Sequence, residues 1–201
     1  MGVQTDVQVK FIADENAADP DRLVTAARPN TSATMATTTF LGGGARNVTV
    51  TTTGTGDNGK TCTVTGTDVF GNAMTEVITS TGSAEAVAGA KLFLTVSAVE
   101  CSAQYAANIT VGSGSLCASA VAGGGRTRLK GYSIVSAGTA GLVDFYNGTP
   151  EDGTIIFKAQ TIGTDNSTVD NTIPDEGMLF KSGLAVGYTV ATVVLANVFF
   201  A

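Results

Sequence analysis

Alternation of polar and apolar residues between positions 46 and 80 constrains the fold more than any other feature. Val48 and Val50 are separated by threonine, and residues 61–65 repeat the two-residue period. Successive side chains point to opposite faces of a β-strand, so each run predicts a strand with one buried face. Residues 57–59, Asp-Asn-Gly, separate the runs. Such residues favour tight turns, and the segment therefore predicts a three-stranded antiparallel meander.

The composition extends this prediction to the whole chain. Only 14% of the 201 residues are charged, and 25 are glycine. Threonine and valine, which are abundant, suit half-buried pleated surfaces, while glycine supplies turns. We therefore predict an all-β protein, made of two small antiparallel β-sandwich or barrel-like domains preceded by an extended N-terminal arm.

Two glycine triplets, at residues 42–44 and 123–125, set the predicted domain boundaries. Runs of glycine act as hinges because they carry no side chain to pack. The prediction is an extended N-terminal arm over residues 1–45, a first β domain over 46–122 and a second over 123–201.

Within the arm, the alternation of Val7 and Val9 leads to Phe11 and Ile12 and predicts a first strand. A short helix is predicted from Pro20 through residues 23–27. The acidic residues between 14 and 21 resemble a set of oxygen ligands for Ca²⁺, but they lack the loop pattern of an EF-hand. A solvated acidic turn is the favoured interpretation.

Further strands follow from the same patterns. A single strand is predicted over residues 91–99, and residues 142–147 are predicted to form a hairpin with residues 129–135. The remaining predicted strands cover residues 108–112, 154–159, 178–181, 184–186 and 193–200. Residues 182–201 carry no charge. Their length invites a membrane-spanning interpretation, but β-branched residues and internal glycine favour two strands buried in a sheet, so no membrane partner is predicted.

The residue inventory limits the chemistry that the chain can perform. Histidine is absent, which excludes Ser-His-Asp and Cys-His machinery. The net charge is −6 without a large basic cluster, which argues against nucleic acid as a partner. Three cysteines without C-x-x-C spacing indicate reduced, mostly buried thiols in preference to a disulfide or metal site. Carboxylates that could hydrolyse a glycosidic bond are better explained as surface charge. They are Glu76, Asp144, Glu151 and Asp152; the last two, like Asp68, lie in predicted turns. We predict no enzyme activity, no cofactor and no metal site.

Residues 46–112 resemble a repeated sequence type in the structural proteins of tailed bacteriophages. The matching stretches are Arg46-Asn-Val-Thr-Val50, residues 57–79, Lys91-Leu-Phe-Leu-Thr-Val-Ser97 and Asn108-Ile-Thr-Val-Gly112. Residues 128–201 are more loosely similar to β domains of the same kind of virion protein, and residues 1–45 show no such likeness.

This resemblance implies a structural role on the outside of a capsid, for a protein made in the host cytoplasm. The expected function is that of a head decoration, or cement, protein that bridges capsomers. Its expected partners are the phage major capsid protein and two further copies of itself in a homotrimer. The alternative is a tail or head-fibre component that contacts the host surface.

Three arm residues are candidate anchors for the capsid interface: Phe11, Ile12 and Phe40. Apolar groups on an extended arm gain most by docking on a partner. A place in the protein's own core is the alternative for the same three residues.

Overall fold

The computed structural model describes residues 7–13 and 17–201, and in this part of the chain the secondary structure is almost entirely β. Every strand pair whose register is described is antiparallel. The predicted all-β class is confirmed. The strands are β1 (Gln8–Ile12), β2 (Val24–Ala27), β3 (Ala45–Thr52), β4 (Thr61–Thr67), β5 (Ala73–Thr79), β6 (Ala86–Phe93), β7 (Thr95–Cys101), β8 (Ile109–Ala122), β9 (Thr127–Ser136), β10 (Leu142–Asn147), β11 (Thr154–Gln160), β12 (Thr168–Thr172), β13 (Met178–Phe180), β14 (Leu184–Thr189) and β15 (Val193–Phe200). Two short 3-10 helices span Thr55–Asp57 and Val190–Thr192.

The chain forms two compact units. Unit 1 comprises Met1–Glu15 and Cys117–Ala201, and unit 2 comprises Asn16–Leu116. The division does not follow the glycine triplets. Residues 42–44 lie inside unit 2, and residues 123–125 lie inside unit 1 between β8 and β9. Both triplets contain glycines with positive φ, so they serve as turns within a unit.

Unit 1 contains two layers of strands around one apolar core. One layer has the order β1-β15-β9-β12, with β13 also on β9, and the other contains β11, β10 and β14. Side chains of both layers join the same buried cluster. Tyr132, Phe145 and Phe157 come from three different strands, with ring centroids 5.5–5.7 Å apart. Tilted rings at this spacing pack favourably, so the aromatic contacts join the layers as in a β-sandwich.

Unit 2 also places two layers around one core. One layer has the order β5-β4-β7, and the other contains β3 beside β6, together with β2 on β8. The core is mostly aliphatic, with the two rings Phe93 and Tyr105 fully buried. The burial of β4 alternates residue by residue, as its sequence predicts. At Gly66 the carbonyl of Thr95 lies where a side chain would be, so only glycine fits beside that register shift.

The predicted meander is only partly correct. The hairpin of β4 and β5 forms, and Asp68 closes its turn by accepting hydrogen bonds from the N–H groups of Phe70 and Asn72. However, β3 pairs with β6 and not with β4. Nearly every residue of β3 is buried, so it is an interior strand whose alternation does not mark a solvated face.

The helix predicted after Pro20 is wrong, because residues 24–27 form the strand β2. Val24 lies opposite Val111 of β8, and Leu23 and Val24 are fully buried. A helix this short gains few internal hydrogen bonds for the cost of its nucleation. Pairing with β8 satisfies the backbone and also buries both apolar side chains, so tertiary contacts decide the conformation.

Two further strand predictions need correction. Residues 91–99 do not form one strand, since β6 ends at Phe93 and β7 begins at Thr95. Pairing changes at this break, because β6 pairs with β3 and β7 pairs with β4. The predicted hairpin of residues 129–135 with 142–147 also does not form. Instead β10 pairs with β11 and β14, and β9 pairs with β12, β13 and β15.

Candidate interaction surface and buried polar clusters

The first strand and the residue before it carry a row of exposed apolar side chains. Val7, Val9 and Phe11 alternate along the chain and are 55%, 58% and 57% exposed. Phe199 of β15 lies directly opposite Val9 and is 37% exposed. Directly opposed residues point to the same face of a sheet, so these four side chains form one strip. We call Val7, Val9, Phe11 and Phe199 the β1 strip.

The β1 strip lies at the edge of its sheet. Among the strands that the structure describes, β1 pairs with β15 alone. An edge strand presents backbone donors and acceptors along its outer side, which is a template for another chain. Lys10 sits on this strand and is exposed. An edge lysine discourages indiscriminate strand pairing. Because side chains alternate along β1, Lys10 points to the face opposite the β1 strip, and the strip itself is apolar.

The three predicted anchor residues occupy different surroundings. Phe11 is exposed within the β1 strip, whereas the neighbouring Ile12 is 2% exposed in the core of unit 1. Phe40 is 5% exposed in the core of unit 2. Ile12 and Phe40 therefore lie in the protein's own core, which was the alternative interpretation. Phe11 stays a candidate anchor. Val9 and Phe199 are not among the predicted anchors, although the alternation of Val7 and Val9 in the sequence indicates that these two valines share a face.

Two of the carboxylates considered for hydrolysis, Glu76 and Asp144, hold backbone or charge partners. Glu76 accepts hydrogen bonds from the N–H groups of Ala90 and Lys91. Asp144 pairs with Lys158 at 3.2 Å and accepts a hydrogen bond from the Tyr146 hydroxyl. Burial, and then the charge of Asp144, raises the pKa of Tyr146. Glu76 thus supports the β5–β6 connection, and Asp144 belongs to a small polar group beside an aromatic residue.

Asp57 is the most enclosed carboxylate that the structure describes in unit 2, with no exposed surface. Its oxygens accept hydrogen bonds from Lys60 at 2.7 Å, from the Thr52 hydroxyl at 2.9 Å and from two backbone N–H groups. The N–H donors belong to Ala106, at 2.6 Å, and Ala107, at 3.1 Å. The sequence predicts only a tight turn at this position. Instead the carboxylate joins the turn before β4 to the segment that precedes β8.

Opposing effects act on the pKa of Asp57. Burial raises it, but hydrogen bonds from Ala106, Lys60, Thr52 and Ala107 favour the ionised form. The hydrogen bonds outweigh burial and hold the pKa of this carboxyl well below its usual range. Asp57 therefore remains charged in the folded protein at pH values where a free aspartic acid is protonated.

A second polar cluster joins two thiols to a buried phenol. The Sγ atoms of Cys62 and Cys101 are 3.8 Å apart, and Cys62 Sγ lies 3.2 Å from the hydroxyl oxygen of Tyr105. That hydroxyl lies 2.9 Å from Ser80 Oγ. Hydrogen bonding by Cys101, opposed by burial and aided by Tyr105, lowers the pKa of Cys62. Burial, followed by the hydrogen bond to Cys62, raises the pKa of Tyr105.

The acidic run of the arm shows no assembled cation site in its described part. Asp14, Glu15 and Asn16 lie outside the described residues, and Asp19 contacts Ser113 through its backbone. Across residues 7–13 and 17–201, no three His, Cys, Asp or Glu side chains are grouped to hold a metal ion. Within the same ranges, no helix has the length and apolar character needed to cross a membrane.

Comparison with known proteins adds no relative. No protein-family model matches the chain, and neither a curated protein nor a solved structure matches it. The likeness to phage structural proteins therefore stays a prediction from the residues quoted above.

Proposed function

We propose that this chain is a structural protein that docks on a larger assembly through the β1 strip, as a decoration protein of a bacteriophage capsid. The observation that carries the proposal is the strip itself, four exposed apolar side chains at an open sheet edge. Clustered exposed apolar groups mark interaction surfaces, and burying such a side chain contributes roughly 1.5–3 kcal/mol.

The sequence resemblance supports the choice of partner. Residues 46–112 resemble phage structural proteins, and this resemblance implies the major capsid protein as the partner. The proposed mechanism is passive. Each docked copy adds buried apolar surface between neighbouring capsomers, and this surface opposes separation of the shell subunits. Homotrimer formation, which the same resemblance implies, is part of the proposal.

The test compares capsid binding by two variants with matched exposure. Val9→Asp/Phe11→Asp places two carboxylates in the strip, and Val77→Asp places one on β5, where Val77 is 60% exposed on another edge strand. Binding to head shells of the encoding phage, prepared without this protein, is measured by co-sedimentation. We expect the double variant to bind about a hundredfold more weakly, because roughly 3 kcal/mol of apolar burial is lost. Val77→Asp should bind like the wild type.

Four results would count against the proposal. Failure of the wild-type chain to bind shells, together with adsorption to host cells, would favour the fibre alternative. Equal binding by all variants would remove the strip from the interface. Sedimentation equilibrium tests the trimer, and a wild-type mass of one 20.2 kDa chain would exclude it. If the wild type is a trimer and only the double variant is a monomer, the strip joins subunits and does not contact the capsid.

A further inference from the structure

Cys62 and Cys101 occupy directly opposed positions on neighbouring strands of unit 2. The register of β4 and β7 pairs Cys62 with Cys101, although the two residues are 39 positions apart in sequence. The N–H of Cys101 donates to the carbonyl of Thr31, and the N–H of the next residue, Ser102, donates to Thr61. Cys62 and Cys101 are therefore a non-hydrogen-bonded pair, the type in which side chains approach most closely.

This register satisfies the geometric requirement of a disulfide. Opposed residues of antiparallel strands have Cα atoms about 4.5–5.5 Å apart, within the range of about 4.4–6.8 Å that disulfides span. The sulfur atoms are already 3.8 Å apart. Rotation about the two Cα–Cβ bonds can close this distance to about 2.05 Å, and the strands need not separate.

We propose that Cys62 and Cys101 form a reversible disulfide that links β4 to β7 when the protein meets an oxidising environment. The oxidant is a small disulfide of the glutathione class, written RSSR. This modification is independent of the proposed docking function, since the pair lies in unit 2 and the β1 strip belongs to unit 1.

The two thiols differ in their exposure to solvent. Cys101 is partly exposed, whereas Cys62 has no exposed surface. RSSR can reach the partly exposed Cys101, but the hydrogen bond to Cys62, followed by burial, raises the pKa of the Cys101 thiol, so alkaline pH favours this first step. Once deprotonated, Cys101 attacks one sulfur of RSSR, releases RS⁻ and forms a mixed disulfide. The Cys62 thiolate then attacks the Cys101 sulfur and expels the second RS⁻. Two cysteines lose one proton each, two RSH molecules form, and the two electrons of the thiols reduce RSSR.

The surroundings of Cys62 favour the second step. The Tyr105 hydroxyl lies 3.2 Å from Cys62 Sγ, so it can donate a hydrogen bond to the Cys62 thiolate while Cys101 is held in the mixed disulfide. Tyr105 remains hydrogen-bonded to Ser80 after oxidation, so the phenol is not left without a partner. Cys117 belongs to unit 1 and provides an internal control thiol.

The experiment treats the full-length folded chain with oxidised or reduced glutathione and traps free thiols with maleimide. Peptide mass spectrometry then identifies each cysteine. We expect two of the three thiols to disappear on oxidation, a linked peptide pair containing Cys62 and Cys101, and an unmodified Cys117. Reduced glutathione should restore all three thiols. The midpoint of thermal unfolding of unit 2 should rise by roughly 10 °C, because the bond restricts the unfolded chain.

Variants separate this pair from nonspecific oxidation. Cys117→Ser should respond like the wild type, and Cys101→Ser should lose the thermal shift and leave Cys62 free. Persistence of all three thiols in oxidised glutathione would overturn the proposal. So would a linked pair that forms only in denaturant, or cross-links between separate chains through Cys101. The thiol map of the wild type decides these outcomes even if a variant folds poorly.

Discussion

The cores of the two units differ in the chemistry that holds them together. In unit 1 the layers meet through Tyr132, Phe145 and Phe157, with ring centroids 5.5–5.7 Å apart. In unit 2 the aliphatic core is flanked by the Asp57 cluster and by the cluster of two thiols with Tyr105. Apolar contact has little dependence on pH or oxidation, whereas a charged carboxylate responds to pH and the thiols respond to oxidation. We therefore expect two units of similar fold class whose stabilities depend differently on pH and on oxidation.

The largest effect is expected from removing the central ring of unit 1. Phe145→Ala should lower the free energy of unfolding of unit 1 by about 4 kcal/mol, because Phe145 is fully buried and its loss leaves a cavity. Amide hydrogen exchange can report the stability of each unit separately. Phe11→Ala is the matched control in the same unit, and its exposed ring should cost less than about 0.5 kcal/mol. Equal losses in both units would show that the cores are not independent.

Substitution of Asp57 tests how much the buried polar clusters stabilise unit 2. Asp57→Ala should destabilise unit 2 by about 3 kcal/mol, since it leaves Lys60, Thr52 and two N–H groups without their acceptor. Chemical unfolding of the variant measures the change. Glu85→Ala, an exposed carboxylate of unit 2, is the control and should be almost neutral. If Asp57→Ala were as stable as the wild type, water would replace the carboxylate without a loss in the free energy of unfolding.

A smaller effect should appear on acidification. The pKa of Asp57 is depressed in the folded protein, so its contribution to stability is present above the unfolded pKa of about 4 and is lost as the pH falls toward the folded value. Unit 2 should lose about 1 kcal/mol from this group between pH 5 and pH 3, after allowance for solvent screening near Lys60. Asp57→Asn should flatten that part of the profile. An unchanged slope would assign the acid sensitivity to other carboxylates.

Sequence reasoning succeeds where the local pattern and the tertiary environment agree. The alternation of β4 predicts its burial residue by residue, and the turn at Asp68 follows from the preferences of Asp, Gly and Asn. It fails for β3, where polar residues alternate with valine but nearly all are buried. The pattern indicates a strand in both cases, and only the neighbouring strands determine whether its second face meets water.

The candidate sites depend still more on distant contacts. The sequence spacing of Cys62 and Cys101 matches no motif. Their contact results from the register between β4 and β7, which the sequence alone does not reveal. Asp57 resembles an ordinary turn residue until Ala106 and Ala107 are placed beside it. Phe11 and Ile12 are adjacent apolar residues, and the pairing of β1 with β15 alone decides which of them is buried.

That same pairing imposes an order on synthesis. The ribosome makes β1 before unit 2, yet its partner β15 follows unit 2 in the sequence. The residues of unit 2 are all translated in between, so this unit can fold during translation while β1 still has no neighbour. Closing such a distant contact is slow, since a long loop must lose its freedom first. The β1 strip thus acquires its final shape only when the last residues of β15 have left the ribosome.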